Sequence, residues 1–496
     1  MKKYLKIHPL DNVVVAVQRL EKNTELEIDG EKLLLLDDVA PGHKIALKDM
    51  AEGENIIKYG VPVGHLTRDV KRGEWIHVQN CTTNLEHSGV YTYSPKTFEL
   101  PYKFEDRTFN GYVRENGQVG IRNELWIVPT VGCVNGMAQR MIDEFIRRYD
   151  PQGLDYIGVV KHPYGCSQVG EDLLNTRHIL GGLTKNPNAG GVLGLSLGCE
   201  ENIFADYLES LGDYNKERIK FLQCQDVGDE VEEGVKILKE LYDHMKDDKR
   251  TPVPLSELKV GLKCGGSDGF SGITANPLQG EFSDWLVTQG GTTILSEVPE
   301  MFGAEKRLME RAVNEEVFQK IVDLINDFKK FFLDNGIEVG ENPTPGNRDG
   351  GLTTNEDKSQ GSTQKGGNSP VVDVLDYGGI VEKHGLHLIR TPGNDIVSST
   401  ALAAAGCQLV MFSTGRGTPY GTVVPTVKLA TNPKIAAQKP HWIDFNAAKL
   451  LEDDVAREDV VREFIEYIVS VANGEKVRNE INNFREISIY KTGILL

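Results

Sequence analysis

The 496-residue chain carries 55 Lys and Arg against 73 Asp and Glu, a formal net charge of −18, with 39% hydrophobic and 26% charged residues. This balance argues against nucleic acid as the main partner, which would need a basic face, and no apolar run approaches the roughly 20 residues of a membrane helix. The length predicts two to four domains around a large core, and an acidic surface still leaves room for a local basic pocket that takes a small anion. The start, MKKYLKIHPLDNVVVAV, is basic but has no signal-type apolar core. Seven cysteines without a short-range framework fit reduced thiols. A cytoplasmic protein is the expectation.

Residues 1–95 read as a small all-β domain. The short runs NVVVAV, TELEI, KLLLL, HKIAL, NIIKYG and EWIHV are broken by Gly, Pro and Asp. Five of the eleven histidines fall here. His43, in Pro-Gly-His-Lys beside Lys44, and His77, at a strand end, are the functional candidates. A glycine turn with a neighbouring cation suits a carboxylate, and a His pair suits a metal. Residues 96–123 read as a linker followed by a hairpin that turns at Asn116-Gly117.

Residues 124–340 read as a central α/β domain. Five apolar runs end in Cys133, Cys166, Cys199, Cys224 and Cys264, and a helical pattern follows most of them. Strand, turn and helix in repetition predict a mostly parallel sheet covered by helices. Ligands of such sheets bind outside the carboxyl ends of the strands. A helix with the stripe Phe318, Ile321, Ile325, Phe328 and Phe332 closes this unit. Residues 341–370 almost lack apolar side chains, which predicts a functional loop or a solvated linker. Residues 371–496 predict a second α/β unit. Its run CQLVMFSTGRGTPYG places Arg416 and Thr418 in a glycine-rich turn, a receptor for carboxylate or phosphate. No dinucleotide fingerprint or P-loop is present.

The polar groups expected beside the cysteines are His162 and Gln168 in HPYGCSQ, Glu200 and Glu201 in GCEEN, and Ser267 and Asp268 in CGGSDGFSG. Hydroxyls, carboxylates, an imidazole and an amide at one rim suit a polyhydroxylated substrate. His162 is a candidate general acid or base, and Asp268 a candidate base or metal ligand. Soft thiolates would select iron or zinc, and the absence of a C-x-x-C pair argues against a zinc finger.

GIRNELWIVPTVGCVNGMA, HPYGCSQ, LSLGCEEN, LKCGGSDGFSGITANP, EVPEMFGAE and FSTGRGTPYG together resemble the galactarate dehydratase/altronate hydrolase family, on its altronate branch. IHPLDNVVVAV and GHKIAL resemble that family's SAF-type β-clip domain. The resemblance implies a hydro-lyase that dehydrates D-altronate to 2-dehydro-3-deoxy-D-gluconate in hexuronate breakdown. Dehydration of a related acid such as galactarate, or sugar-acid binding without chemistry, are the alternatives. It also implies Fe²⁺ or Mn²⁺. One departure is Ser362, where relatives are expected to carry Cys. On this reading His162 is the first base and His43 the second, and Lys44 and Arg416 hold the carboxylate, with Thr418, Ser267 and Gln168 on the sugar. The metal is held by His43 and His77, or an iron–sulfur cluster by Cys133, Cys166 and Cys264. A homo-oligomer is compatible with all of this.

Overall fold

The structure, a computed structural model, describes residues 2–493, 495 and 496. The N-terminal unit is all-β. Its central strand, Val13–Ala16, is buried along its whole length. It pairs antiparallel with Tyr4–Leu5 and Lys44–Ala46, and Trp75–Ile76 extends the sheet. A second sheet of Asn55–Lys58, Val61–Leu66 and Cys81–Thr82 shares a small core of Val13, Ile56, Val63 and Ile76. The predicted hairpin forms, with Val113 opposite Val119 and Gly117 at φ +82° in the turn.

The first α/β layer runs β1 (Glu124–Pro129), α1 (Asn135–Tyr149), β2 (Tyr156–Val159), α2 (Gly170–Thr184), β3 (Ala189–Ser196), α3 (Phe204–Leu211), β4 (Ile219–Gln223) and α4 (Glu230–Met245). Its strands are all parallel, in the order β2-β1-β3-β4. Every residue of β1 and β3 is buried, because helices cover both faces. Met141 and Phe145 of α1 meet Leu238 and Leu241 of α4 on one of them. Each such side chain, fully buried, contributes about 1.5–3 kcal/mol.

The second layer has seven parallel strands: β5 (Lys259–Cys264), β6 (Thr292–Leu295), β7 (Val371–Leu375), β8 (Gly385–Ile389), β9 (Leu409–Thr414), β10 (Thr426–Ala430) and β11 (Phe445–Asn446). The order is β7-β8-β6-β5-β9-β10-β11. The predicted boundary at residues 340–371 therefore shifts. The strands ending at Cys264 and Leu295 pair with β8 and β9 of the C-terminal unit, not with the sheet that carries Cys133. Repeating apolar runs announce strands but do not encode which of them pair.

The tether reading of residues 341–370 is also corrected. This segment forms helices Pro345–Asp349 and α5 (Asn355–Ser362), and residues 352–359 are buried. It lacks apolar side chains because its burial is polar. Asp357 receives two lysines, and the Asn355 amide donates to Phe302 O at 3.0 Å. Among the described residues, no helix is long and apolar enough to cross a membrane.

Candidate active site

The Gly42-His43-Lys44 turn of the β domain docks into the loop that leaves β5 and the segment 349–351. Gly42 sits at φ +86°, and a Cβ there would lie 2.6 Å from Gly350 O. A Cβ on Gly269 would come within 2.1 Å of Gly42 O, and one on Gly351 within 2.2 Å. These backbones touch directly, so only glycine fits. The contact lays the histidine face of the β domain against the carboxyl ends of the second sheet, where α/β folds bind ligands.

Trp75 and His77, two apart on one strand end, project to the same side and stack at 5.3 Å between ring centroids. His43 lies 4.8 Å from His77 by the same measure. The Trp75 indole N–H donates to His43 Nδ1 (3.1 Å), so His43 Nε2 carries the proton and donates to Asp349 O (3.2 Å). His77 is different. Its Nδ1 is buried without a partner among the described residues. Burial, then the nearby Lys44 and His43, push its imidazole down to about 3, with Arg348 adding to the effect. At neutral pH it is an unprotonated base in a positive field. Ser267 Oγ and Arg348 Nε are likewise buried and unpartnered, and Asn347 ties the two segments together by donating to Ser267 O (2.8 Å). Buried polar atoms without partners are rare and call for an explanation. A hydroxylated anion would satisfy them.

Asp268 has the opposite character. Its carboxylate accepts from Phe270 N, Ser271 Oγ, Thr431 Oγ1 and the Asn432 amide, at 2.7–3.1 Å. With its lone pairs engaged it organises the loop and is not placed as a base. Gly415 packs on this carboxylate, and Arg416 N donates to Gly266 O (2.9 Å). The Arg416 side chain is exposed and forms no ion pair among the described residues. It remains free to hold an anion. Thr418 Oγ1 accepts from Tyr420 N in the same turn.

Four expected roles change. Lys44 is fully buried and spends its ammonium on Asp357 (2.7 Å) and Gly351 O (3.0 Å), so it cannot reach a substrate carboxylate. His162 lies on the other sheet. Its Nδ1 accepts from Tyr164 N (3.1 Å) and its Nε2 donates to Pro129 O (2.7 Å), which leaves no nitrogen for a base. Burial holds it down to about 4. Gln168 also belongs to that sheet, accepting from Gly165 N and Thr176 Oγ1. Cys264 is buried in the second sheet, apart from Cys133 and Cys166. Lys365 Nζ is 2.8 Å from its sulfur, and Lys263 and Lys365 both bridge to Glu297.

Neither metal shell that included these groups fits. His43 has both ring nitrogens engaged, and Lys44 and Arg348 would oppose a cation at His77. The donor atoms of Cys264, Glu297 and Glu300 do lie within 4.8 Å of one another. Lys263, Lys358 and Lys365 already neutralise them. Trp75 and Arg348 are site residues that the sequence reading missed. The two-residue spacing of Trp75 and His77 was the available signal for the first. Arg348 lay in the segment taken for loop or linker.

A cavity of about 390 Å³ lined by Arg114, Lys185, Lys259 and Gln408 sits at the amino ends of the strands, away from this chemistry. Arg114 in it is already paired with Asp248.

Comparison with known proteins is consistent along the whole chain. Residues 2–84 match the altronate/galactarate dehydratase SAF domain, residues 111–246 the D-galactarate dehydratase/altronate hydrolase second domain, and residues 255–495 the D-galactarate/altronate dehydratase C-terminal domain. The boundary between the last two coincides with the change of sheet. The chain is 57% identical to altronate dehydratase of Bacillus subtilis (strain 168), covering 100% of both, and 51% identical to altronate dehydratase of Escherichia coli (strain K12), covering 99% of this chain and 100% of that one. It is 34% identical to the L-threo-forming galactarate dehydratase of Escherichia coli (strain K12), over 95% of this chain and 93% of the other.

Proposed function

This chain belongs to the D-galactarate dehydratase/altronate hydrolase family, and we propose on that premise that it is a hydro-lyase that converts D-altronate to 2-dehydro-3-deoxy-D-gluconate. The observation that carries the reading is full-length identity above half to two altronate dehydratases. The unpartnered polar groups at the domain contact support it physically, because an aldonate brings one carboxylate and a row of hydroxyls. Arg416 and Arg348 face the carboxylate, and Ser267 Oγ takes a hydroxyl. His77 Nδ1 takes the proton from C2. As that C–H bond breaks, its electron pair forms the C2–C3 double bond. The C3–O bond breaks, and the hydroxyl takes the proton that His77 Nδ1 received from C2 and leaves as water. The enol then tautomerises to the 2-keto acid. The two guanidinium groups stabilise the charge that spreads onto the carboxylate. A cytoplasmic setting is part of this proposal, and seven free cysteines support it.

The test is anaerobic incubation of the iron-supplemented protein with D-altronate, galactarate and other six-carbon sugar acids, with the 2-keto product assayed. D-altronate is expected to be turned over with the highest kcat/KM. No keto acid from any of them would sink the reading. Arg416→Ala is expected to lower kcat/KM by about 10- to 150-fold, the equivalent of one charge-assisted hydrogen bond of ~1.5–3 kcal/mol. Thermal melting of that variant should be unchanged, since Arg416 is exposed and pairs with nothing described.

A further inference from the structure

The loops that leave β2, β1 and β3, three adjacent strands of the first sheet, each carry a cysteine within seven residues of the strand end: Cys166, Cys133 and Cys199. All three thiols are exposed, whereas the other four cysteines of the chain are buried. Free cysteine is usually a buried residue, so three exposed thiols at one sheet edge need a reason. They also meet. The Cys133 thiol is pushed up by partial burial first, then by the neighbouring Cys166 and Cys199 thiols.

The polar residues around them hold the loops and leave the thiols free. His162 locks Pro129 O to Tyr164 N. Gly132 N donates to Tyr164 O (2.8 Å), and the Asn135 amide donates to His162 O (2.7 Å). Asn202 links the other two loops, donating through its amide to Thr130 O (3.0 Å) and through its N–H to Gly165 O (3.3 Å). Glu200 accepts from Thr130 Oγ1, Ser196 Oγ, Gly198 N and Cys199 N, and Glu201 accepts from Ser167 N. The carboxylates are thereby committed to backbone and hydroxyls. Among the described residues none of the three thiols has a lysine or arginine partner such as neutralises Cys264.

We propose that Cys133, Cys166 and Cys199 ligate a four-iron, four-sulfur cluster, three thiolates leaving one iron open. Soft thiolates select such centres. The spacing separates a cluster from a single ion. A tetrahedral zinc with Zn–S of about 2.3 Å needs its sulfurs about 3.8 Å apart. Among the described residues the only trio whose donor atoms all fall within 4.8 Å of one another is Cys264, Glu297 and Glu300, so these three thiols span more than that.

The test needs no turnover, so its failure is distinct from failure of the dehydratase reading. The full chain, purified and reconstituted anaerobically with ferrous iron and sulfide, is expected to hold on the order of four iron and four sulfide, with broad visible charge-transfer absorption and a cubane Mössbauer signature. Cys133→Ala, Cys166→Ala and Cys199→Ala should each lose most of that absorption and iron, while Cys264→Ala and Cys407→Ala keep it. Iron or zinc without sulfide, or a full cluster in the Cys199→Ala variant, overturns the assignment. Circular dichroism of each variant confirms that loss is not unfolding.

Discussion

His77→Ala lowers kcat by about 10²- to 10⁴-fold, the usual contribution of a general base, with little change in melting temperature. The ring is held by stacking on Trp75 and by the backbone turn in which His77 N donates to Asn80 Oδ1 (2.9 Å). Its Nδ1 bonds nothing, so removing it deletes no described hydrogen bond of the fold. The pH dependence carries the sharper signature. An ordinary histidine base would bend kcat/KM downward below about pH 6.5. With His77 depressed to about 3, kcat/KM should stay flat with respect to this group down to about pH 4. Arg348→Gln removes one of the cations that depress it and should move the acid limb upward. An acid limb that stays near pH 6.5 in both proteins, or full activity in His77→Ala, would remove His77 from the mechanism. His162→Gln serves as the contrast. It should lower stability by loosening the Pro129 and Tyr164 backbone contacts, and any loss of rate should follow the loss of folded protein.

Much of this architecture was legible. Apolar runs ending in Cys133, Cys166 and Cys199 announced parallel strands because both faces of β1 and β3 are covered. The Gly42-His43 turn stood out as a glycine turn beside a cation, and the structure adds the close backbone approach that demands the glycine. Other features had no local sign. Lys44 looks like a substrate cation until Asp357 arrives from more than 300 residues away. His162 looks like a base until both nitrogens meet backbone atoms that only the folded loops bring near. Composition misled outright at residues 352–359, where burial is achieved with ion pairs and amides and not with apolar side chains. Long-range polar pairing leaves no periodicity to read. The regular 33-residue spacing of three cysteines did leave one, and strand order shows why: they lie in the loops that follow neighbouring strands.

Asp357→Asn destabilises the protein by about 3–5 kcal/mol, the cost of breaking a buried ion pair from one side, and takes the active site with it. Asp357 lies in the first turn of α5, where its N–H donates to Thr354 Oγ1 (3.1 Å). Its Oδ2 accepts from Lys44 (2.7 Å) and Thr353 N (3.1 Å), and its Oδ1 from Lys58 (2.9 Å). Both lysines and the aspartate are completely buried. The two lysines come from strands Lys44–Ala46 and Asn55–Lys58 of the β domain, so this one carboxylate pins that domain to the C-terminal unit. The asparagine keeps the shape and removes the charge, leaving two buried ammonium groups uncompensated. His43, next to Lys44, and Arg348, on the facing segment, lose their register, so kcat/KM falls even in the folded fraction. The sign with pH follows. The two lysines hold the Asp357 carboxyl well below the usual carboxylate range. Its stabilisation is therefore complete above the unfolded value of about 4 and is lost as pH falls below that towards the folded value. Denaturant melts at pH 7 and pH 3 measure both effects, and the difference between wild type and Asp357→Asn should shrink at the lower pH. Asp373→Asn is the control. That residue pairs with Lys320 and Lys383 near the surface, where an ion pair is worth about 1 kcal/mol or less. The combined Lys44→Met, Lys58→Met, Asp357→Leu protein should regain much of the stability, since an apolar core can replace a buried ion triad. It should not regain the rate if the charges also set the field at His77. Equal melting of wild type and Asp357→Asn would show that the domains are held by the glycine contacts at Gly42 and not by this carboxylate.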